Sequence, residues 1–287
     1  MQSSALASLG GFYLFNAGCA EGEGRSMDEA PATTEAVPMA NMLERIGLQL
    51  YTVRGLMRDD VAGTLKQVAD VGYKEVEFAG YFDHSPADIK GMLDELGLVS
   101  PAVHVGYDLL RDSLDGVLEA AKTIGHQYIV CPWLTPEQRA MDAYRQHAVF
   151  FNEVGAACKA AGIQFTYHNH DFEFEEMDGV IPYDVLLEET DPERVQMELD
   201  LFWITKGGHD PLAYFARYPG RFPLCHVKDM TAAGDMVAVG EGTIDFAAIF
   251  KQSEQAGLIH YFVEHDNPGD AIQSIQTSYA HLKALHF

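Results

Sequence analysis

From Arg45 onward, short apolar runs of strand length alternate with longer segments whose apolar positions recur at helical spacing. This alternation predicts parallel strand–helix–strand units, since each crossover helix returns the chain to the same sheet. The predicted strands are Ile46–Tyr51, Glu75–Ala79, Ser100–Val105, Tyr128–Pro132, Gln164–His170, Gln196–Leu201, Pro223–Lys228 and Tyr261–His265. Between them, Val61, Leu65, Val68 and Ala69 share one helical face before Gly72. Leu114, Val117, Leu118 and Ala121 do so before Gly125, and Phe150, Val154, Ala157 and Ala161 before Gly162. Glycine is the common residue just past a helix end, so these positions read as stops. Gly97 and Gly257 close two further segments in the same way. No repeat of 20–50 residues is visible, so the periodicity lies in pattern alone.

Eight such units close a barrel. The rival architecture, a doubly wound open sheet, carries a glycine-rich turn after its first strand. Here that place holds Thr52-Val53-Arg54-Gly55, which cradles no pyrophosphate. The expected fold is therefore α/β, a single (β/α)8 TIM barrel over residues 43–287.

Ahead of it, residues 1–18 are uncharged and mostly small or apolar, ending Ala17-Gly18-Cys19. The stretch is short for a membrane span and reads as the apolar part of an export signal. It resembles the tail of a bacterial lipoprotein signal over residues 1–19, although twin arginines, a positive start and an ordinary lipobox residue at Asn16 are missing. The expectation is an exported protein whose membrane tether is a lipid on Cys19; without a functional signal it is cytoplasmic. Residues 20–42, rich in Glu, Ala, Pro, Thr and Gly, read as a flexible linker.

Composition narrows the partners. The 287 residues are 47% apolar, enough for one large core, and carry a formal charge of −24. Such a surface repels phosphate backbones and anionic headgroups, which disfavours nucleic acid. A small neutral carbohydrate or a cation in an acidic site suits it better. None of the four cysteines forms a CxxC pair, which argues against a thiolate metal site or a disulfide framework. Cys131, Cys158 and Cys225 read as small buried hydrophobes.

In a parallel barrel, ligands gather at the C-terminal strand ends. Those ends offer Gln49 and Tyr51, Glu77, His104, His168 and His170, Glu198 and Asp200, His226 and Lys228, and Glu264. Residues two apart on a strand share a face, so several imidazoles and carboxylates converge if these faces point inward. One such residue alone is usually structural. Consecutive strands that each end in a metal-competent residue are another matter, because buried unpaired charges persist only with compensation. His168, Asp200, His226 and Glu264 are the expected ligands of one divalent ion, of the Mn, Zn, Co or Fe kind.

From about Arg45 to the C-terminus the chain resembles the sugar phosphate isomerase/epimerase superfamily, the xylose isomerase-like barrels. The likeness rests on Ile46–Tyr51, Gly72–Glu77, Tyr167–Asp171, Glu198-Leu-Asp200 with Trp203, His226-Val-Lys-Asp229, Val239–Asp245 and Val263-Glu264. The resemblance implies a catalytic divalent ion, with Asp200, His226 and Glu264 among its ligands. Epimerases of this kind supply a Glu from the fifth strand; this chain has His168, which brings it closer to inosose dehydratases and keto-sugar lyases.

The expected chemistry is proton abstraction beside a carbonyl, ending in isomerisation or epimerisation; the alternative is elimination by a lyase or dehydratase from a keto-glycoside or keto-inositol. Glu264, His168, His170 and Glu77 are the acid–base candidates, with Lys228 as electrophile or orienting cation. Gln49, Tyr51, His104 and His170 are expected to meet substrate hydroxyls, and Trp203 and Trp133 either to stack on a sugar face or to be buried between helix and strand. A non-catalytic sugar-binding barrel is a further alternative, and a phosphodiesterase like the barrel-type DNA-repair endonucleases fits poorly with so acidic a surface.

Overall fold

The structure is a computed structural model, and it describes residues 41–287. The segment expected to be an export signal and nearly all of the expected linker lie outside the described residues.

Eight parallel strands close a barrel: β1 (Gly47–Gln49), β2 (Glu75–Phe78), β3 (Val99–His104), β4 (Tyr128–Cys131), β5 (Gln164–His168), β6 (Val195–Asp200), β7 (Leu224–Val227) and β8 (His260–Val263). Closure is made by β1, where Gly47 stands opposite Glu75 of β2 on one side and Phe262 of β8 on the other. Every residue of β2, β4, β7 and β8 is buried, as befits parallel strands covered on both faces. The crossover helices are α1 (Val61–Val71), α2 (Pro86–Leu96), α3 (Leu114–Ile124), α4 (Met141–Ala160), α5 (Pro182–Glu189), α6 (Pro211–Arg217), α7 (Phe246–Phe250) and α8 (Ala271–Ala284).

The helix boundaries follow local chemistry. Asp60 caps α1 by accepting from the Gly63 N–H at 2.9 Å, and a Ser85/Asp88 capping box opens α2. Gly72 ends α1 at φ 124°, and a Cβ there would come within 2.6 Å of the Tyr279 ring. Cys131, Cys158 and Cys225 are free and buried.

Ala102, Leu224 and Phe262 lie two residues before His104, His226 and Glu264 and share their faces. With Tyr128 and Val130 they form a small cluster apart from the large outer core. The barrel therefore has an apolar plug below and a polar layer at its C-terminal mouth.

All eight strands end one or two residues earlier than the hydrophobic pattern predicts, and in three the local cause is plain. Gln49 Oε1 accepts from the Tyr51 N–H at 3.0 Å and turns the chain into a 3-10 turn over Leu50–Val53, so Tyr51 reaches the rim. β4 stops at Cys131 because Pro132 has no N–H to continue the ladder. β5 stops at His168, and Asn169 Oδ1 instead accepts from the Asp200 N–H at 3.0 Å. His170 thus sits on a loop, not on the alternating face it was expected to share with His168.

Candidate active site

The polar layer contains two stacked groups that share His226. In the upper group, donor atoms of His168, Asp200, His226 and Glu264 all lie within 4.8 Å of one another, and all four residues are buried. His168 Nε2 is 3.2 Å from Asp200 Oδ2, and His226 Nδ1 is 2.8 Å from Glu264 Oε2. The lower group joins Glu77, His104, Glu198 and His226. Here His226 Nε2 is 2.8 Å from Glu77 Oε2 and 3.2 Å from Glu198 Oε2, while His104 Nε2 is 2.8 Å from Glu198 Oε2.

Tautomers decide what the upper group can hold. His226 donates through Nε2 to Glu77, and its buried Nδ1 has no hydrogen-bond partner among the described residues despite the nearby Glu264 oxygen. His168 points Nδ1 at the Pro132 carbonyl, at 3.3 Å, leaving the Nε2 lone pair for the cluster. Against the cost of burial, the surrounding carboxylates raise His226 well above the ordinary histidine value, so an ion would displace its Nδ1 proton. Two imidazole nitrogens facing two carboxylates are then a donor set that fits a divalent ion of the Zn or Mn kind, with each ring fixed by an outer partner. They are the four residues that the sequence pattern names, brought together in the structure, and they would be the ones to hold such an ion.

Electrostatics follow from burial and neighbours. Burial and the adjacent His226 charge lower His168 to about 4, so it is neutral. His170 is driven well below the ordinary histidine value by burial and by His168. Against the cost of burial, Lys228 and the histidines hold Asp200 well below the carboxylate range. Lys228 in turn is fully buried yet held charged, its Nζ lying 3.1 Å from Asp200, 2.8 Å from Glu264 and 2.8 Å from Asp266. In the lower group, burial and the neighbouring Glu198 raise Glu77, while His226 and His104 keep Glu198 low despite its burial.

A cavity of about 910 Å³ opens above this layer. Its wall includes His104, His168, His170, Lys228 and Glu264, together with Tyr51, Trp133 and Trp203. Trp203 Nε1 and His170 Nδ1 are buried without hydrogen-bond partners among the described residues, and both belong to cavity-lining side chains. Such groups await a ligand or water.

Two expected contacts fall elsewhere. Gln49, expected to meet substrate hydroxyls, is fully buried and has committed its amide, Nε2 to Glu77 at 2.7 Å and Oε1 to the Tyr51 N–H. Glu77, an acid–base candidate, lies beneath His226 and is absent from the cavity wall; it reaches the site through its neighbouring imidazoles, His226 and the cavity-lining His104.

Residues that the strand pattern did not single out also matter. Asp266 pairs with Lys228 beyond the end of β8. Glu173, in an irregular acidic and aromatic run, accepts from the Tyr167 hydroxyl and from the His170 N–H at 2.8 Å, clamping the His170 loop. No periodic signal marks Glu173. Asp266 lies two residues beyond Glu264, a spacing that the alternation rule could have flagged.

The chain belongs to the xylose isomerase-like TIM barrel family, whose profile matches residues 65–285; it is an enzyme of that family. An inosose dehydratase of Geobacillus kaustophilus (strain HTA426) is 26% identical over 244 residues, covering 68% of this chain and 79% of that protein. A sugar phosphate isomerase/epimerase structure from Parabacteroides distasonis ATCC 8503 superposes with a TM-score of 0.72 at 28% identity, covering 88% of this chain and 97% of that one. The IolI protein, solved with a zinc atom, shares the fold at TM-score 0.65 and 19% identity, over 82% of this chain and 95% of its own.

Proposed function

We propose that this chain is a divalent-metal-dependent lyase that takes a proton from the carbon beside a ketone in a sugar or cyclic polyol and expels the substituent one carbon further on. The observation that carries this reading is the pairing of a neutral His168 in the ligand cluster with a neutral, unpaired His170 on the same cavity wall. Epimerisation by two opposed carboxylates needs a second glutamate at the position His168 fills. The dehydratase relative, named for an inosose, supports elimination as a chemistry of this family.

A bound divalent ion would polarise the ketone oxygen as a Lewis acid. His168, Asp200, His226 and Glu264 would hold it. Lys228, charged and lining the cavity, orients a substrate oxygen and offsets negative charge that develops there. His170 lines the cavity with its Nδ1 unpaired and is the proton acceptor in this reading; burial keeps it neutral and also lowers its basicity. As imidazolium it returns that proton to the departing oxygen, so the elimination balances with one acid–base group. Trp203 offers its unpaired indole N–H to a hydroxyl.

The second reading, isomerase or epimerase, is favoured by the Parabacteroides structure and would use Glu264 to return the proton to carbon. One experiment separates the two: NMR of metal-loaded protein with a panel of aldoses, ketoses, 3-keto-glycosides and keto-inositols in D₂O. Loss of the β-substituent supports the lyase. Deuterium gained with every hydroxyl retained overturns it in favour of the isomerase, and no turnover of any compound favours a sugar-binding barrel.

A further inference from the structure

The cavity has two unlike halves. From β5 round to β8 its wall carries His168, His170, Lys228, Glu264 and Asp266. From β1 to β4 it is built of Tyr51, Ala79, Val105, Leu109 and Trp133, with His104 the one lining residue on that side, among the described residues, that bears an acid or amine function. Three of these are large hydrophobic side chains left open to solvent, Tyr51 at 41%, Leu109 at 51% and Trp133 at 44% exposure. Scattered exposed hydrophobics need no explanation, but several converging on one concave wall mark a surface that a ligand covers.

Size points the same way. Pockets of roughly 300–1,000 Å³ enclose drug-sized ligands, and about 910 Å³ lies at the upper end of that range. A lone monosaccharide or inositol ring is far smaller. A polyol ring large enough to touch both halves would also set hydroxyls against the apolar wall, where each unbonded one costs free energy. The wall is already in place: Trp133 sits edge-on to His170 at 4.5 Å and to Phe172 at 5.2 Å, with the Arg139 guanidinium 4.5 Å from its ring centroid. Little side-chain ordering remains to be done on binding.

We propose that the wall of Tyr51, Val105, Leu109 and Trp133 is an aglycone subsite, and that the substrate is a keto-glycoside bearing an apolar or aromatic aglycone. The assignment of that aglycone as the leaving group rests on the lyase reading above. The base takes the proton from the carbon next to the ketone, the released electron pair forms a carbon–carbon double bond, and the bond from the sugar to the aglycone oxygen breaks. The proton then goes to that oxygen. The products are an unsaturated keto-sugar and a neutral alcohol or phenol, with no oxidant or reductant consumed.

The test compares methyl and cyclohexylmethyl 3-keto-β-D-glucopyranosides, whose alkoxide leaving groups are alike in basicity. It uses the full-length, metal-loaded protein and its Leu109→Asp variant. Calorimetry on the corresponding unoxidised glycosides, which cannot eliminate, gives Kd separately from turnover. The expected result is at least a tenfold preference for the cyclohexylmethyl compound in both Kd and kcat/KM, about one decade per 1.4 kcal/mol. That ratio falls to within twofold of unity in Leu109→Asp, with circular dichroism confirming the fold. Equal Kd values in the wild type, or binding of neither glycoside, overturn the subsite even if both keto-glycosides are eliminated. A Kd preference with no elimination keeps the subsite and removes the leaving-group assignment together with the lyase reading.

Discussion

His226 Nε2 lies 2.8 Å from Glu77 Oε2, on the opposite edge of the ring from the Asp200 and Glu264 carboxylates. The contact engages Nε2 and leaves Nδ1 as the nitrogen that faces the proposed metal position, where a bound ion would take the place of its proton. Outer partners of this kind tune affinity by orienting the ligand and raising its basicity. Glu77→Gln should therefore weaken divalent-ion binding by about 10–100-fold while the fold persists. Competition with a chromophoric chelator measures it, and unchanged affinity would remove the orienting role.

The unpaired indole N–H of Trp203 leads to a second expectation. If it binds a substrate hydroxyl, Trp203→Phe loses one hydrogen bond of about 1 kcal/mol and keeps most of the ring. KM should rise several-fold with a smaller change in kcat. Steady-state kinetics on the substrate identified in the NMR panel checks this; a large fall in kcat at constant KM would place the indole in the transition state instead.

His126 gives a pH dependence far from the site. Its Nδ1 lies 2.7 Å from the Ser100 carbonyl and its Nε2 3.0 Å from the Tyr81 hydroxyl, an arrangement that suits the neutral ring. Burial lowers it to about 4. Because the folded value is depressed, the unfolded chain binds the proton first, and stability is lost as pH falls from about 6.5 towards 4. The loss is up to about 3 kcal/mol at 1.36 kcal/mol per pKa unit. Thermal unfolding of wild type and His126→Gln at pH 7.5 and 4.5 should show a smaller drop for the variant.

Glu173 works in the opposite direction. Burial raises it to about 7. A raised folded value means stability present below about 4.5 and lost as pH climbs through 7. Relative to wild type, Glu173→Gln should gain stability as the pH is raised from 5 to 8. Denaturant titrations at the two pH values give the difference, and a difference that does not change with pH contradicts the assignment.

Much of the barrel was legible because its strands are buried on both faces and its helices stop at glycine. Tyr128–Cys131 and Leu224–Val227 are apolar enough to announce themselves, and Gly72 and Gly125 fix where α1 and α3 end. The convergence of His168, Asp200, His226 and Glu264 could also be read, since strand ends at the C-terminal mouth meet in any parallel barrel. The depth of each side chain was not legible. Gln49 and Glu77 belong to the same alternating faces as the cavity residues, yet they sit one layer down, where side chains from neighbouring strands bond to each other. Glu173 escaped because its role depends on a loop bending back onto Tyr167, which no periodicity encodes.

In the proposed reaction, proton removal next to a ketone needs one divalent ion held by His168, Asp200, His226 and Glu264. Titrating metal-stripped protein with Mn²⁺ or Zn²⁺ while following solvent deuterium uptake and β-substituent loss by NMR tests it most directly. Activity should rise to a plateau at one ion per chain, and Asp200→Ala should abolish both binding and turnover. Full activity in the stripped protein, or an unaltered titration in Asp200→Ala, would contradict it.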